Sequence, residues 1–207
     1  MSQESWYDRH VLPYLIDMAC GIRPVARQRE KVVPLAQGRV LEVGIGTGLN
    51  IPFYDKSRVT RVTGVDPALR MHSLAQKRIA QAGLDVDLIG LSAERLPVDD
   101  ASFDTVVCTY TLCTIPDPAA ALAEMRRVLK PGGQLLFSEH GRAPDANVSK
   151  WQTRLQPYWS KLAGGCMLDR DVPLLLRDAG FQSDVQSRYL PGPRFVSYHY
   201  WGVAQVR

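Results

Sequence analysis

Residues 39–54 read RVLEVGIGTGLNIPFY, and this stretch decides how the rest of the chain is interpreted. An apolar run that contains Glu42 is followed at once by three glycines at alternate positions, Gly44, Gly46 and Gly48. Glycine adopts backbone dihedrals that other residues avoid, and it lets a ligand approach the main chain closely. A tight turn without a ligand is the simpler alternative, but it does not need three glycines. The stretch therefore predicts a buried strand that ends in a ligand-binding turn.

Strand and helix patterns alternate from this point onward. Short runs rich in Val, Ile and Leu predict strands at 39–43, 61–65, 86–91, within 103–112 and at 134–140. Between them the sequence predicts a short helix from near Gly48, a helix over 67–83 that begins at Pro67 and stops at Gly83, and a helix from Pro118 that is ended by Pro131-Gly132-Gly133. Such alternation favours an α/β fold with a parallel sheet covered on both faces.

The segments on either side of this alternation are predicted to add further elements. After His140, helices are expected over 151–162 and within 164–181, and two final strands at 182–190 and 194–206. Residues 4–36 are expected to form one or two helices before the sheet. The chain is thus divided into an N-terminal helical segment, 1–36, and a main domain, 37–207, within a single structural domain.

Composition limits the possible classes of function. The chain has 207 residues, of which 45% are apolar, and a net charge of +4, as expected of one globular domain. The sequence contains no compact stripe of basic residues, so nucleic-acid binding is not expected. No secretory signal is recognised, and no apolar run approaches the roughly 20 residues of a membrane span. Because Cys20, Cys108, Cys113 and Cys166 follow no metal-ligand spacing, we expect free thiols in the cytoplasm and no metal site.

The spacing of the glycines distinguishes two classes of cofactor. A dinucleotide site typically reads GxGxxG, whereas residues 42–48 read E-x-G-x-G-x-G. Asp66 ends the second predicted strand, 18 positions after Gly48. A carboxylate at that position can accept hydrogen bonds from both hydroxyls of a ribose. The two features together predict a cofactor that carries a ribose but differs from a dinucleotide.

With these motifs the sequence resembles the class I S-adenosylmethionine-dependent methyltransferases, from about Trp6 to Val206. The resemblance implies S-adenosylmethionine as cofactor and a Rossmann-like sheet of seven strands, mostly parallel, with helices on both faces and an antiparallel final strand. Ser92 stands where the family usually has an acid for the adenine amino group, and its hydroxyl can still accept that hydrogen bond. The cofactor-binding residues implied by the resemblance are Glu42, Gly44, Ile45, Gly46, Gly48, Asn50, Asp66, Pro67, Met71, Ser92, Ala93, Glu94 and Thr109.

Three stretches resemble a narrower group of these enzymes: GTGLNIPFY, VVCTYTLCTIPDP and LLFSEHGRAPD. The group includes ubiquinone and menaquinone C-methyltransferases. The resemblance is closer to thiol S-methyltransferases and to bacterial proteins labelled phospholipid N-methyltransferases. It favours a small or lipophilic thiol as methyl acceptor, with an ethanolamine phospholipid or a quinol as alternatives. A protein that binds the cofactor and methylates nothing is a further alternative, which the intact glycine and acid motif disfavours.

Three candidate catalytic residues follow from a thiol acceptor. A free thiol has a pKa of about 8.5 and its thiolate is already a strong nucleophile, so one base or one nearby positive charge suffices. His140, at the end of the fifth predicted strand, is placed for either role, with a purely structural histidine as the alternative. Tyr110 is expected to line the same site. In the resembling family an N-terminal helix often covers the acceptor pocket with Tyr7 near the methyl group, and residues 6–21 favour such a lid over a peripheral membrane contact.

Overall fold

The structure is a computed structural model that describes residue 7 and residues 10–206. Its strands are β1 (Gly38–Val43), β2 (Val59–Val65), β3 (Val86–Ile89), β4 (Phe103–Thr109), β5 (Leu129–His140), β6 (Phe181–Tyr189) and β7 (Tyr198–Val206). Within the described residues these seven strands form one sheet in the order β3-β2-β1-β4-β5-β7-β6. The strands β1 to β5 are parallel to one another, whereas β7 is antiparallel to β5 and to β6. The predicted seven-stranded sheet with an antiparallel final strand is confirmed.

Helices cover both faces of this sheet, as predicted. They are α1 (Leu12–Gly21), α2 (Arg23–Val32), α3 (His72–Ala82), α4 (Pro118–Val128), α5 (Ala146–Leu162) and α6 (Val172–Asp178). Because side chains alternate along a strand, Val40 and Leu41 of β1 enter different cores. Val40 packs in one buried cluster with Val32 of α2, and Leu41 in another with Leu122 of α4 and Leu176 of α6. None of these five side chains is more than 2% exposed.

The helix after β2 starts later than predicted. It begins at His72 rather than at Pro67. The reason is a turn at the end of β2, where the Asp66 carboxylate accepts the amide N–H of Ala68 at 2.8 Å. An aspartate that caps its own turn in this way competes with helix formation. The predicted stop at Gly83 is confirmed, because Gly83 ends the helix in the left-handed conformation.

Other predicted boundaries are also wrong, including the start of the final strand, which is Tyr198 rather than residue 194. The short helix expected from near Gly48 is a 3₁₀ helix over Ile51–Phe53, because Gly48 has a φ of +79° and cannot start an α-helix. β5 begins at Leu129, so Pro131-Gly132-Gly133 lies inside the strand instead of before it. The pairing of β4 with β5 shifts register beside this segment, and Gly132 has a φ of +78°. The irregularity accommodates residues that normally end a strand.

The strand order places β1 beside β4, where the order along the sheet reverses. In open α/β sheets, ligands bind beyond the carboxyl ends of the strands at this point. The turn after β1 and the turn after β4 therefore meet at the candidate site. In the described part of the chain, no helix has the length and apolar character needed to cross a membrane.

Candidate active site

The turn after β1 contains three glycines in left-handed conformations. Gly44, Gly46 and Gly48 have φ angles of +72°, +51° and +79°. A Cβ atom on Gly44 would lie 2.1 Å from the Thr111 side chain, and one on Gly48 would lie 3.1 Å from the Ala75 backbone. A Cβ atom on Gly46 would meet nothing closer than 3.6 Å. Packing therefore explains the outer two glycines, whereas a Cβ atom on Gly46 would make only ordinary van der Waals contacts.

Glu42 supports this turn from inside the protein. Its carboxylate accepts hydrogen bonds from the Asn50 amide at 3.0 Å and from the Tyr54 hydroxyl at 2.6 Å. The Asn50 amide group also donates to the Thr109 hydroxyl at 3.0 Å. Complete burial raises the pKa of Glu42 to about 7, although both hydrogen bonds favour the ionised form. This network ties the glycine turn to the ends of β1 and β4.

Asp66 presents a half-buried carboxylate at the end of β2. Its Oδ2 accepts the amide N–H of Gly46 at 3.0 Å, and its Oδ1 accepts that of Ala68 at 2.8 Å. Burial raises the pKa of Asp66, and the two backbone hydrogen bonds oppose that effect. A carboxylate can accept about four hydrogen bonds, so about two acceptor positions remain for a ligand. That is the number required by the two hydroxyls of a ribose.

A partly open cleft with a cavity volume of about 60 Å³ lies between the glycine turn and the first two helices. Eight of the sequence-predicted residues line it: Glu42, Gly44, Ile45, Gly46, Asn50, Met71, Thr109 and Tyr110. Ile16 and Cys20 of α1 and Arg29 of α2 also line it, and sequence reasoning missed all three. The cofactor loop and the N-terminal helices thus share one cavity.

Charged contacts fix α1 over the glycine turn. Asp17 forms two hydrogen-bonded contacts with the Arg78 guanidinium, at 2.9 and 3.1 Å, and accepts the Thr47 hydroxyl. Arg78 also donates to the Thr47 carbonyl at 2.6 Å. Burial opposes ionisation of Asp17, but these hydrogen bonds and the charge of Arg78 lower its pKa. The arrangement supports the predicted role of this helix as a lid. Trp6, the first residue of the predicted lid, lies outside the described residues.

Arg29 brings a buried positive charge to the cavity. The residue is 4% exposed, and its Nη1 donates to the Cys20 carbonyl at 2.7 Å. Its guanidinium carbon lies 4.7 Å from the centroid of the Tyr110 ring. Its Nε atom is buried and has no hydrogen-bond partner among the described residues. No carboxylate of the described residues forms a salt bridge with Arg29. An unpaired buried guanidinium is costly, so an anionic ligand group is a fitting partner.

Six of the predicted cofactor residues do not line this cavity: Gly48, Asp66, Pro67, Ser92, Ala93 and Glu94. The Ser92 hydroxyl donates to Glu94 Oε2 at 2.9 Å, and Glu94 Oε1 accepts the amide N–H of Asp117 at 2.7 Å. These side chains therefore form a polar loop beside the cavity. Their assignment to the adenine end of the cofactor stays a prediction.

Tyr110 has an unusual backbone for a residue other than glycine. Its φ is +54°, at the end of β4 where the site lies. Such strained positions cluster at functional sites. Its hydroxyl lies 3.1 Å from Nδ1 of His199 and accepts the Ser138 hydroxyl at 3.4 Å. Burial lowers the pKa of His199 to about 3, so this imidazole is neutral beside the tyrosine.

The other two candidate catalytic residues lie outside the lining of the cavity. His140 ends β5, and its Nε2 lies 3.1 Å from Sγ of Cys166. Hydrogen bonding to Cys113 and burial raise the pKa of the Cys166 thiol. The Tyr7 hydroxyl donates to the carbonyl of Leu162 at 3.0 Å, which joins the N-terminal segment to the end of α5. The position predicted for Tyr7, beside the methyl group, stays a prediction.

Known proteins share both the sequence and the fold of this site. A family profile described as "Methyltransferase domain" matches residues 41–137. A *Thermotoga maritima* protein, described as a SAM-dependent methyltransferase and possible histamine N-methyltransferase, has the same fold, with a TM-score of 0.69 at 24% identity over 97% of this chain and 98% of its own. The human thiol S-methyltransferase TMT1A is 34% identical over 97% of this chain and 88% of its own length. The chain belongs to the S-adenosylmethionine-dependent methyltransferase family.

Two further relatives differ in the reaction that their names state. The rat thiol S-methyltransferase TMT1B is 38% identical over 160 residues, which are 74% of this chain and 64% of the rat protein. The chain thus spans somewhat less than two thirds of that relative. A phosphatidylethanolamine N-methyltransferase of *Cereibacter sphaeroides* is 36% identical over 58% of this chain and 60% of its own length.

S-adenosylmethionine is the cosubstrate of the family, and the residues present fit it. Gly46 lines the cavity without a side chain, and the Asp66 carboxylate has acceptor positions left for a ribose. The Nε atom of Arg29, which has no hydrogen-bond partner among the described residues, is available to the methionine carboxylate. Met71 lines the same cavity and is suited to contact with an apolar ring. These four residues would therefore hold the cosubstrate.

Proposed function

We propose that this methyltransferase acts on a small or lipophilic thiol. The observation that carries the proposal is the alignment with human TMT1A, a protein named for thiol S-methylation, over 97% of the chain. A relative that resembled only the cofactor-binding core would support the cosubstrate alone. Here the similarity includes the N-terminal helices and the region after β5, which are the parts expected to recognise the acceptor.

The chain's own residues position the two reactants. When bound, S-adenosylmethionine supplies an electrophilic methyl group on a sulfonium. Gly46, Asp66 and Arg29 would fix its two ends, and α1 would exclude water through its contacts with Arg78 and Thr47. Orientation and desolvation of this kind account for much of the catalysis of a displacement reaction.

The acceptor end of the site lies at the carboxyl ends of β4 and β5. Tyr110 and His140 occupy these ends, and the ring centroids of His140 and His199 are 6.4 Å apart. In the proposal, the part of the site around His140 keeps the acceptor in its thiolate form, and Tyr110 packs against the acceptor. Because a thiol has a pKa of about 8.5, a single positive charge is enough to increase the thiolate fraction substantially at neutral pH. Tyr7 is placed at the same end as part of the lid.

Phosphatidylethanolamine is the second candidate acceptor, because the *Cereibacter* relative is named for its N-methylation. A quinol is the third, from the resemblance of the sequence to quinone-pathway enzymes. Cytoplasmic location belongs to the same proposal, and the four free cysteines support a reducing compartment.

A competition among acceptors tests the proposed function. The full chain is incubated with methyl-labelled S-adenosylmethionine and equal concentrations of an alkyl thiol, phosphatidylethanolamine in mixed micelles, and a quinol. The expected result is label in the methyl thioether, with kcat/KM for the thiol exceeding that for the other two acceptors. Label in the phospholipid with none in the thioether would show that the amine of phosphatidylethanolamine, and not a thiol, is the methyl acceptor. Binding of the cosubstrate without transfer to any acceptor would contradict the enzymatic proposal.

A further inference from the structure

Three side chains with soft or borderline donor atoms converge at the carboxyl end of β5. The Sγ atoms of Cys113 and Cys166 and one ring nitrogen of His140 all lie within 4.8 Å of one another. One of these contacts, from His140 Nε2 to Cys166 Sγ, is 3.1 Å. Cys113 and Cys166 are 3% and 8% exposed. The cluster lies outside the lining of the cofactor cavity.

The protein backbone holds these three residues in place. His140 is the last residue of β5 and pairs with His199 of β7. The carbonyl of Cys113 accepts the amide N–H of Met167 at 2.7 Å, which fixes the two cysteine segments against each other. The Gln156 side chain of α5 donates to the Cys166 carbonyl at 3.1 Å. Donors on fixed elements of this kind are a requirement of a preformed metal site.

We propose that Cys113, His140 and Cys166 form a binding site for a zinc ion. Thiolate and imidazole are the donors that zinc prefers, and Cys₂His is a known ligand set for it. Around a tetrahedral zinc, bonds of about 2.0–2.3 Å separate sulfur from nitrogen by about 3.5 Å and two sulfurs by about 3.8 Å. In the structure His140 Nε2 and Cys166 Sγ are 3.1 Å apart and all three donor atoms lie within 4.8 Å of one another, so modest side-chain movements would complete the site.

Hydrogen bonding alone does not explain the cluster. The His140–Cys166 contact uses Nε2, while Nδ1 of His140 is buried and has no partner among the described residues. A hydrogen bond between His140 and Cys166 does not require Cys113 to lie beside them. A divalent cation, by contrast, neutralises two thiolates and leaves no net charge in a buried place. The residues beside the two cysteines, Thr114 and Gly165, are exposed and provide a short path for an ion.

Binding has a defined proton balance and geometry. The ion would form bonds with two sulfurs and one nitrogen, and the two thiols would release two protons to solvent. Three protein ligands leave a fourth position open, which is the arrangement of catalytic rather than structural zinc. His140 then acts as a metal ligand, and the ion supplies positive charge at the proposed acceptor end. Whether zinc binds does not depend on which acceptor is methylated.

Metal titration tests this site without an activity assay. The full chain is reduced, stripped with a chelator and titrated with Co²⁺ as a spectroscopic probe, then with Zn²⁺ in competition with a coloured chelator. We expect one metal per chain, thiolate-to-cobalt charge-transfer absorption and release of two protons in weak buffer. Cys113→Ser and Cys166→Ser should each weaken Zn²⁺ binding at least about 100-fold, since losing even an outer partner of a ligand costs 10- to 100-fold.

Cys20→Ser is the matched control, because Cys20 is also a free thiol at this end of the sheet but lies outside the cluster. It should bind Zn²⁺ like the wild type. Melting temperatures of the metal-free variants show whether the variants fold. If they do not fold, the cobalt spectrum of the wild type decides whether the cluster binds metal. Absence of charge-transfer absorption at one equivalent of Co²⁺, or equal weakening by Cys20→Ser and Cys166→Ser, would overturn the proposal.

Discussion

Replacing Arg29 by methionine tests how the cosubstrate is held. The change keeps an unbranched apolar stem and removes the charge that lines the cavity. In the structure Nη1 already donates to the Cys20 carbonyl, whereas Nε has no partner among the residues described. One charge-assisted hydrogen bond to the methionine carboxylate is worth about 1.5–3 kcal/mol. Arg29→Met should therefore raise the Kd for S-adenosylmethionine about 10- to 150-fold.

Calorimetry with two ligands separates this role from a general effect on the fold. The first ligand is S-adenosylmethionine, and the second is 5′-methylthioadenosine, which keeps the nucleoside but lacks the carboxylate. We expect Arg29→Met to lose much of its affinity for S-adenosylmethionine and to keep nearly all of its affinity for 5′-methylthioadenosine. Arg27→Met, an exposed arginine on the same helix, is the control and should leave both affinities unchanged. Equal weakening of both ligands by Arg29→Met would refute the assignment, because it would show that Arg29 only shapes the cavity.

Four further changes follow from the same site. Gly46→Val should abolish S-adenosylmethionine binding in calorimetry by filling the cavity, whereas Gly132→Val, at an equally left-handed but open position, should not. Asp66→Ala should weaken that binding at least tenfold through lost ribose hydrogen bonds, and an unchanged Kd would place the ribose elsewhere. Since burial raises the pKa of Glu42 from 4.5 to about 7, the folded state favours its protonated form. Wild type should therefore lose about 3 kcal/mol of unfolding free energy, relative to Glu42→Gln, between about pH 4.5 and 7 in urea titrations; parallel curves would contradict this. His140→Ala should lower thiol turnover about 10²–10⁴-fold at neutral pH, with partial recovery toward pH 8.5 as the thiol itself ionises; an equal loss at every pH would indicate a structural role.

Much of the fold was predictable because its signals are local. The strands at 39–43 and 61–65 are runs of β-branched and aliphatic residues, and their burial needs no long-range information. The errors occurred where a tertiary contact overrides a local preference. Pro67 is a good first helical residue, but the Asp66 turn delays the helix to His72. Residues 131–133 normally end a strand, but Leu129 and Gln134 on either side of them pair with β4 and so retain them within β5.

The candidate site also contains residues that the sequence predicted and residues that it did not. Glu42 lies near the end of β1, and Gly46 and Asp66 follow β1 and β2, so their spacing along the chain predicted a shared site. Arg29 gave no such signal, because an arginine in a charged helix is usually exposed and only packing shows that it is buried. The Cys113–His140–Cys166 cluster is also a product of the fold, since the chain brings together residues that follow no metal-ligand spacing.

The most direct test of the account is to identify both products of one reaction. The full chain is incubated with S-adenosylmethionine and a lipophilic thiol, and mass spectrometry measures the methyl thioether and S-adenosylhomocysteine over time. The account predicts that both form in equal amounts, and that Gly46→Val forms neither. Methylation of phosphatidylethanolamine or a quinol while the thiol stays unmodified would contradict the proposed acceptor. S-adenosylmethionine that binds and is recovered intact with every acceptor would contradict the proposal that this chain is an active enzyme.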